Sequence, residues 1–373
     1  MSVLDYTCFY MGHGAMHYIK VINSMGYVEK KILIDAGSNR DHFEYAKENS
    51  DTVLQDILNS TANQCIFCLT HPHDDHYSYF IDIINTMGSQ GKINVLDMFY
   101  IGGCSSTEYQ IAVTRKDSPY ASIMRGIQSL FIALLNNKIP TKQIFFLPKV
   151  ESRPLWQGTE GVVLYYLFGN LFDISWDTAN DNSANFAVIN QSTNNVVWVT
   201  GDSTGSTFNN LCYQDKTLSM IQYLLHGKKV YMTVPHHGSY DTLKEWSFGI
   251  CEFRDGDYQA PARLQSLLVY LDVVNYALIL SADYLDSYKH PDGLALGIYS
   301  YLCAKAEYND SWPVYRESNR SIITTLGGKE LYGEEISDGV WFWQNLPNEI
   351  YSTVIRSKCN PNLGEFTNIN LQL

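Results

Sequence analysis

Charged side chains are scarce: Asp, Glu, Lys and Arg make up 17% of the 373 residues, against about 25% in ordinary soluble domains. The balance is acidic, with 26 Lys+Arg against 39 Asp+Glu and a formal charge of −13. A protein that grips duplex nucleic acid or an anionic membrane over a broad surface draws its affinity from Lys and Arg, so those partners are excluded as a general mode, although a local basic groove is not. No apolar run approaches the ~18 residues needed to span a bilayer, and the first nineteen residues hold Asp5 but no Lys or Arg, a poor start for a secretory signal. The expectation is a cytoplasmic protein with no membrane partner. Internal repeats and low-complexity linkers are missing too. Eight cysteines are scattered through mostly apolar stretches, which fits reduced, buried thiols better than a disulfide framework. Cys65-Ile-Phe-Cys68 has CxxC spacing, but it lies in a strand-like run, where positions i and i+3 face opposite sides of the pleat and packing is the better reading.

What the chain does have is aromatic: 27 Tyr, 16 Phe and 7 Trp, enough to fill a core and to rule out disorder. Its length admits one large domain or two ordinary ones at roughly 100–200 residues each. Short apolar runs bounded by Gly, Asn and Pro recur at Lys31–Asp35, Gln64–Thr70, Asn94–Tyr100, Gln143–Leu147, Val162–Phe168, Phe186–Ile189, Val196–Thr200, Lys229–Val234 and Ala277–Ser281. They read as strands, several too uniformly apolar to have a wet face. Phe80, Ile83, Ile84 and Met87 keep helical spacing up to Gly88, and Ile123, Ile127, Leu130, Phe131 and Leu134 do so before Pro140. Ser192–Asn195 between two apolar runs reads as a hairpin turn. Strands and helices mixed throughout imply an α/β layered domain spanning 1–346, with a polar C-terminal tail over 347–373.

The segment Leu69-Thr-His-Pro-His-Asp-Asp-His76 packs three imidazoles and two carboxylates into six residues where a strand ends and a helical pattern begins. Imidazole nitrogen and carboxylate oxygen are ligands for Zn2+ and related divalent ions. Two further apolar runs end in ligand-type side chains, Val196–Thr200 in Gly201-Asp202 and Val230–Val234 in Pro235-His236-His237-Gly238-Ser239. Three strand ends of this kind suggest one composite metal site.

These residues resemble the metallo-β-lactamase superfamily. His71-x-His73-x-Asp75-His76 is similar to its HxHxDH motif, Asp202 to its bridging aspartate and His236 to the histidine after a later strand. Lys31-Ile-Leu-Ile-Asp-Ala-Gly37 resembles its strand ending in Asp-x-Gly, with Asp35 behind the ligands. Within the superfamily the chain is most similar to the hydrolase domain of ComEC-type DNA-uptake proteins. Phe9-Tyr-Met-Gly-His-Gly14 (with Ala15 where an acidic residue is usual), Asn182-Ser183, Pro235–Ser239 and Tyr288-Lys-His-Pro291 carry that likeness. The resemblance runs from about residue 5 to 330. It implies a four-layered αββα sandwich and two divalent ions, Zn or Mn. One ion falls to His71 and His73, the other to Asp75, His76 and His236, and Asp202 bridges. Two ions sharing a water lower its pKa and yield a hydroxide nucleophile.

Many family members place a third histidine on the first ion between the motif and the bridging aspartate, yet residues 77 through 225 hold none. Asp177, Asp181 or Asn182 is the expected oxygen substitute, a change that favours harder ions such as Mn2+. His290 is expected to protonate a leaving group or hold a phosphate oxygen, with His237 and Ser239 near the substrate and Asp75 and His237 counted with His290 as catalytic. His13, His17, His42 and His226 show no spacing signal and read as ordinary, His13 sitting in a Gly-x-Gly turn. The function implied is a phosphodiesterase or nuclease acting on a nucleotide or single-stranded nucleic acid. The alternatives are a hydrolase of a lactone, thioester or β-lactam, and a binding module without turnover, because this superfold hosts many chemistries.

Overall fold

The computed structural model describes residues 1–39, 43–103, 121–149, 151–171, 179–239, 242, 275–280, 321–324, 330–337, 340–344 and 369–373. Strands β1 (Val3–Cys8), β2 (Met16–Ile22), β3 (Val28–Ala36), β4 (Cys65–Leu69), β5 (Leu96–Ile101), β6 (Ile144–Phe146) and β16 (Ile369–Gln372) form one sheet in the order β16-β1-β2-β3-β4-β5-β6. A second sheet contains β7 (Arg153–Gln157), β8 (Val162–Phe168), β9 (Asn185–Asn190), β10 (Asn195–Val199), β11 (Lys229–Thr233), β12 (Asn275–Leu280), β13 (Ser321–Thr324), β14 (Glu330–Ser337) and β15 (Val340–Gln344), in the order β15 through β7. Each sheet has a parallel run at its centre or side: β3 to β6 in the first, β10 to β13 in the second. Parallel strands are covered on both faces. That explains why Cys-Ile-Phe-Cys-Leu of β4 is buried at every position.

Alternation along these strands sorts side chains into layers. On β3, Ile32 and Ile34 face the second sheet and pack with Ile66, Tyr166, Phe186 and Val197, while Leu33 faces the other way. There it joins Phe67 and Phe99 under the helices α1 (Phe43–Leu58), α2 (Asp74–Ser89) and α3 (Ala121–Asn136). Phe67, Phe80 and Phe99 meet at 5.0–5.9 Å between ring centroids, a spacing typical of tilted aromatic pairs. The outer face of the second sheet buries Trp198 and Phe168 against Phe208 of α4 (Gly205–Leu211), with α5 (Asp215–Leu225) beside it. The chain is therefore a four-layered αββα sandwich.

Helix α2 runs one residue beyond the expected stop at Gly88, because that glycine leaves room for the Asn137 side chain, which bonds Asn85 and the Ala133 carbonyl at 2.8 Å each. Gly91, at φ +65°, ends it in the left-handed conformation that glycine adopts without strain. The segment after 347 does not end as a loose tail. Its last strand, β16, pairs antiparallel with β1, and Leu4 and Leu373 exchange backbone hydrogen bonds of 2.6 and 2.8 Å. Among the described residues, no helix is long and apolar enough to cross a membrane.

Candidate metal centre

Asp35 ends β3, His71 to His76 follow β4, Asp202 follows β10, and His236 and His237 follow β11. Neighbouring parallel strands carry their carboxyl ends to one edge of a sheet, where open α/β sheets place their sites. Here two such edges, one from each sheet, face each other. Asp75, His76, Asp202 and His237 offer donor atoms within 4.8 Å of one another, and His71, His73 and Asp202 form a second group on the same criterion. Asp202 belongs to both.

The turn after β4 is fixed by Asp35, which is fully buried and takes three bonds. Its carboxylate accepts from Thr70 N, Thr70 Oγ1 and His76 Nδ1, each at 2.8 Å. Since Thr70 Oγ1 gives its proton to Asp35, it accepts from His71 Nδ1 at 3.1 Å. Both histidines thereby turn Nε2 toward Asp202: His76 Nε2 lies 3.1 Å from Oδ1 and His71 Nε2 lies 3.8 Å from Oδ2. Such outer bonds set the tautomer of a metal-binding imidazole. His73 Nδ1 stands 3.0 Å from His71 Nε2.

Asp202 is held from the other sheet. Its amide donates to Ser183 Oγ at 3.1 Å, and Gly201, at φ +54°, lies against the Thr70 side chain where a Cβ would collide at 2.7 Å. After β11, His236 and His237 both adopt the left-handed conformation, at φ 49° and 51°, which costs a non-glycine residue roughly 1–2 kcal/mol. His237 Nε2 reaches Asp202 Oδ1 at 3.4 Å and Asp75 Oδ2 at 3.8 Å. His236 Nε2 lies 3.8 Å from Asp202 Oδ2. The sequence resemblance assigns His236 to the group of Asp75 and His76; the structure gathers His237 there instead.

Burial acts on the enclosed side chains His71, His73, His76, His237, Asp75 and Asp202. It pushes His71 well below the usual imidazole pKa, with His76 and His73 adding repulsion, and it lowers His73. It takes His237 down to about 4. Burial opposes charge on His76 as well, but Asp202, Asp35 and Asp75 outweigh it and raise that pKa. Burial would raise Asp75 and Asp202, yet the adjoining histidines hold both below the usual carboxylate range. His71, His73 and His237 are thus held neutral beside ionised carboxylates, the forms that bind a divalent ion, whereas His76 would have to give up a proton to do so. A hollow bordered by His76, Asp202 and His237, together with Ala15, His17 and Thr233, measures about 10 Å3, room for one ion or one water.

The other expected residues are placed differently. Asp181 accepts from Thr204 Oγ1 at the start of α4 and joins neither donor group. Asn182 is fully buried, and its carbonyl accepts from Asn170 N at 3.1 Å. Ser239 donates its amide to the His236 carbonyl at 2.8 Å. Asp177, His290 and His42 lie outside the described residues. Two histidines read as ordinary do come to the site. His13 Nε2 sits 3.3 Å from Asp75 Oδ2, and its ring lies 5.0 Å from that of His237. His17, bonded to Tyr6 OH at 3.0 Å, borders the hollow, and burial takes its pKa to about 3. The Gly-His-Gly turn was the available sign for His13: Gly14 lies against the backbone of Gly37 and Ser38, and no larger residue would let that turn close. For His17, inside a strand, there was none.

No protein-family model matches the chain, and no curated protein matches it in sequence. Among solved structures it is similar to human tRNase Z, short form, with a TM-score of 0.37 and 12% identity over 76% of this chain and 93% of that one. It is similar to the metallo-β-lactamase fold protein YhfI from Bacillus subtilis, at 0.39 and 11% over 76% and 88%. It is also similar to unliganded yeast PDE1, at 0.41 and 11% over 81% and 93%. Likeness at this level concerns the layered architecture alone.

Proposed function

We propose that the chain is a metal-dependent hydrolase of a small or single-stranded phosphodiester, with a nucleotide or single-stranded nucleic acid as the substrate class. The observation that carries this reading is the sharing of Asp202 between two donor groups of imidazole and carboxylate. That donor chemistry fits Zn2+ or Mn2+. His71 and His73 would hold one ion and Asp75, His76 and His237 the other, with Asp202 available to either. A pair of divalent ions bound there would supply an acidified water and charge stabilisation for an in-line displacement at phosphorus. Asp35 and Thr70 keep the Nε2 lone pairs of His76 and His71 facing inward, and His13 braces Asp75. The acidic surface, at −13, favours a substrate gripped at its phosphate rather than along a duplex. Cys65 and Cys68 are buried thiols outside any disulfide, which supports a reducing compartment such as the cytoplasm.

The test is hydrolysis of bis-p-nitrophenyl phosphate with Mn2+ and Zn2+ side by side, with nitrocefin and a thioester in parallel. Turnover of the phosphodiester is expected, abolished by His73→Ala or Asp75→Ala while circular dichroism stays unchanged. Cleavage of nitrocefin or the thioester alone would move the reaction to a carboxylic bond. Neither turnover nor metal uptake would leave a binding module.

A further inference from the structure

Asn185 opens β9, one residue before the apolar run Phe186–Ile189, and its side chain is fully buried. Asn is a poor strand former, and a buried amide is costly unless it is hydrogen-bonded. Both of its polar atoms are engaged. Oδ1 accepts from Trp198 Nε1 at 3.1 Å, while Nδ2 donates to Ser203 Oγ at 2.8 Å and to the Ser183 carbonyl at 3.2 Å. We propose that Asn185 is a positioning residue for Asp202: it anchors the two segments that hold this aspartate and thereby governs the affinity of both ions. The inference rests on the two-ion reading above and adds to it the side chain that fixes the shared ligand.

The bonds run in one direction. An indole N–H only donates and a backbone carbonyl only accepts, so the amide of Asn185 has a single orientation. Ser203 Oγ accepts from Nδ2 and donates its own proton to the Thr200 carbonyl at 2.7 Å, and the Ser203 amide reaches the same carbonyl at 3.3 Å. These bonds close the turn Thr200-Gly201-Asp202-Ser203. On its other side the Asp202 amide donates to Ser183 Oγ at 3.1 Å, and the carbonyl of that serine is the one held by Asn185. One side chain therefore joins the residue after Asp202 to the residue that grips its amide. Trp198, Ser183, Asn185 and Ser203 are all wholly buried, and a buried polar network with its bonds made is rigid.

The same segment reaches the first sheet. The Ala184 amide, between Ser183 and Asn185, donates to the Thr70 carbonyl at 2.9 Å, next to His71. A shift of residues 183–185 would thus move Asp202 relative to the histidines it faces. Its Oδ1 stands 3.1 Å from His76 Nε2 and 3.4 Å from His237 Nε2, and its Oδ2 stands 3.8 Å from His71 Nε2. Sites of this kind need their groups held to about 0.5 Å, and Asp202 belongs to both donor groups. Asp35 and Thr70 each orient individual histidines; Asn185 acts on the ligand common to both ions.

The experiment titrates metal-stripped protein with Co2+, reading the visible absorption of the bound ion and the metal content after dialysis, beside thermal denaturation of the metal-free protein. Asn185→Asp keeps the size and the acceptor for Trp198 Nε1 but has no N–H for Ser183 or Ser203. Ser203→Ala removes only the hydroxyl link to Thr200. Each is expected to weaken both ions by ~10-fold or more and by similar factors, whereas His73→Ala should weaken one ion alone. Val188→Ala, on the same strand but facing the space between the sheets, should lower the melting temperature and leave both affinities at the wild-type value, separating lost stability from lost positioning. If Asn185→Asp does not fold, Ser203→Ala decides. Wild-type affinity for both ions in the folded variants, or loss of one ion only, would overturn the role of Asn185 and leave the two-ion reading standing. So would an equal loss in Val188→Ala. Wild type binding no Co2+ would overturn both.

Discussion

Replacing Asp35 by Asn keeps the shape of a fully buried side chain and changes only its charge and one acceptor. The carboxylate takes Thr70 N, Thr70 Oγ1 and His76 Nδ1 at 2.8 Å each. An amide has one oxygen and one NH2, so it cannot satisfy all three. If the oxygen stays with Thr70, the NH2 faces His76 Nδ1, and the imidazole proton must move to Nε2, the nitrogen that addresses Asp202 at 3.1 Å. If the amide turns over, its NH2 meets the Thr70 N–H instead. The first arrangement takes His76 out of its ligating tautomer, and the second keeps the tautomer only by setting two buried N–H groups against each other, so the first is expected; removing an outer partner of this kind costs 10–100-fold in metal affinity, which is about 1.4–2.7 kcal/mol. His71 reaches Asp35 only through Thr70, so the ion on His71 and His73 should weaken by less. The assay is competition for Zn2+ against a chromophoric chelator, with thermal denaturation of the metal-free proteins as control. Two unequal losses are expected. An affinity for both ions within twofold of wild type, in a folded variant, would refute the reasoning that Asp35 sets the His76 tautomer.

Gly201→Ala should destabilise by about 1–3 kcal/mol, because its Cβ would meet Thr70 at 2.7 Å and its φ of +54° disfavours a side chain; urea denaturation with an unchanged midpoint would count against that packing. Asp56 joins Lys31 Nζ at 2.8 Å and accepts from Tyr18 OH at 2.8 Å, and although burial raises its pKa, these two bonds bring it below the usual value. A carboxyl whose folded pKa is depressed contributes stability above its unfolded pKa of ~3.9 and loses it as pH falls further. Asp56→Asn should therefore cost about 1–2 kcal/mol at pH 7, after discounting for the exposure of Asp56, and progressively less below pH 4. A penalty that does not change with pH in denaturant titrations would contradict the ion-pair account.

Much of the site was legible because its residues sit where apolar runs stop. His71, Asp202 and the His236–His237 pair each follow a buried parallel strand, and strand ends are visible as the point where apolar residues give way to Gly, Pro and polar groups. The opposite facing of Cys65 and Cys68 could also be read, since it depends only on pleat parity; Cys65 packs under the helices and Cys68 between the sheets. Which of two adjacent histidines meets Asp75 could not be read, because it depends on a left-handed turn that no spacing rule encodes. β1 was missed for another reason: Val3 to Cys8 alternates buried and half-buried positions, so it forms no continuous apolar run. β16 is four residues long and is placed by its pairing with β1, with Leu371 packed against the core between the sheets. His13 and His17 arrive on strands and turns from the start of the chain, so their approach to Asp75 and the hollow is a matter of tertiary structure.

Donors to the centre come from two sheets, His71 to His76 from the first and Asp202 and His237 from the second. Each ion proposed here therefore acts as a rivet through the sandwich as well as a reagent. Any ligand that favours the folded chain raises its stability by mass action, and in this chain the gain is concentrated at the seam between the sheets. Supply of metal would govern how firmly the two halves of the molecule are clamped together.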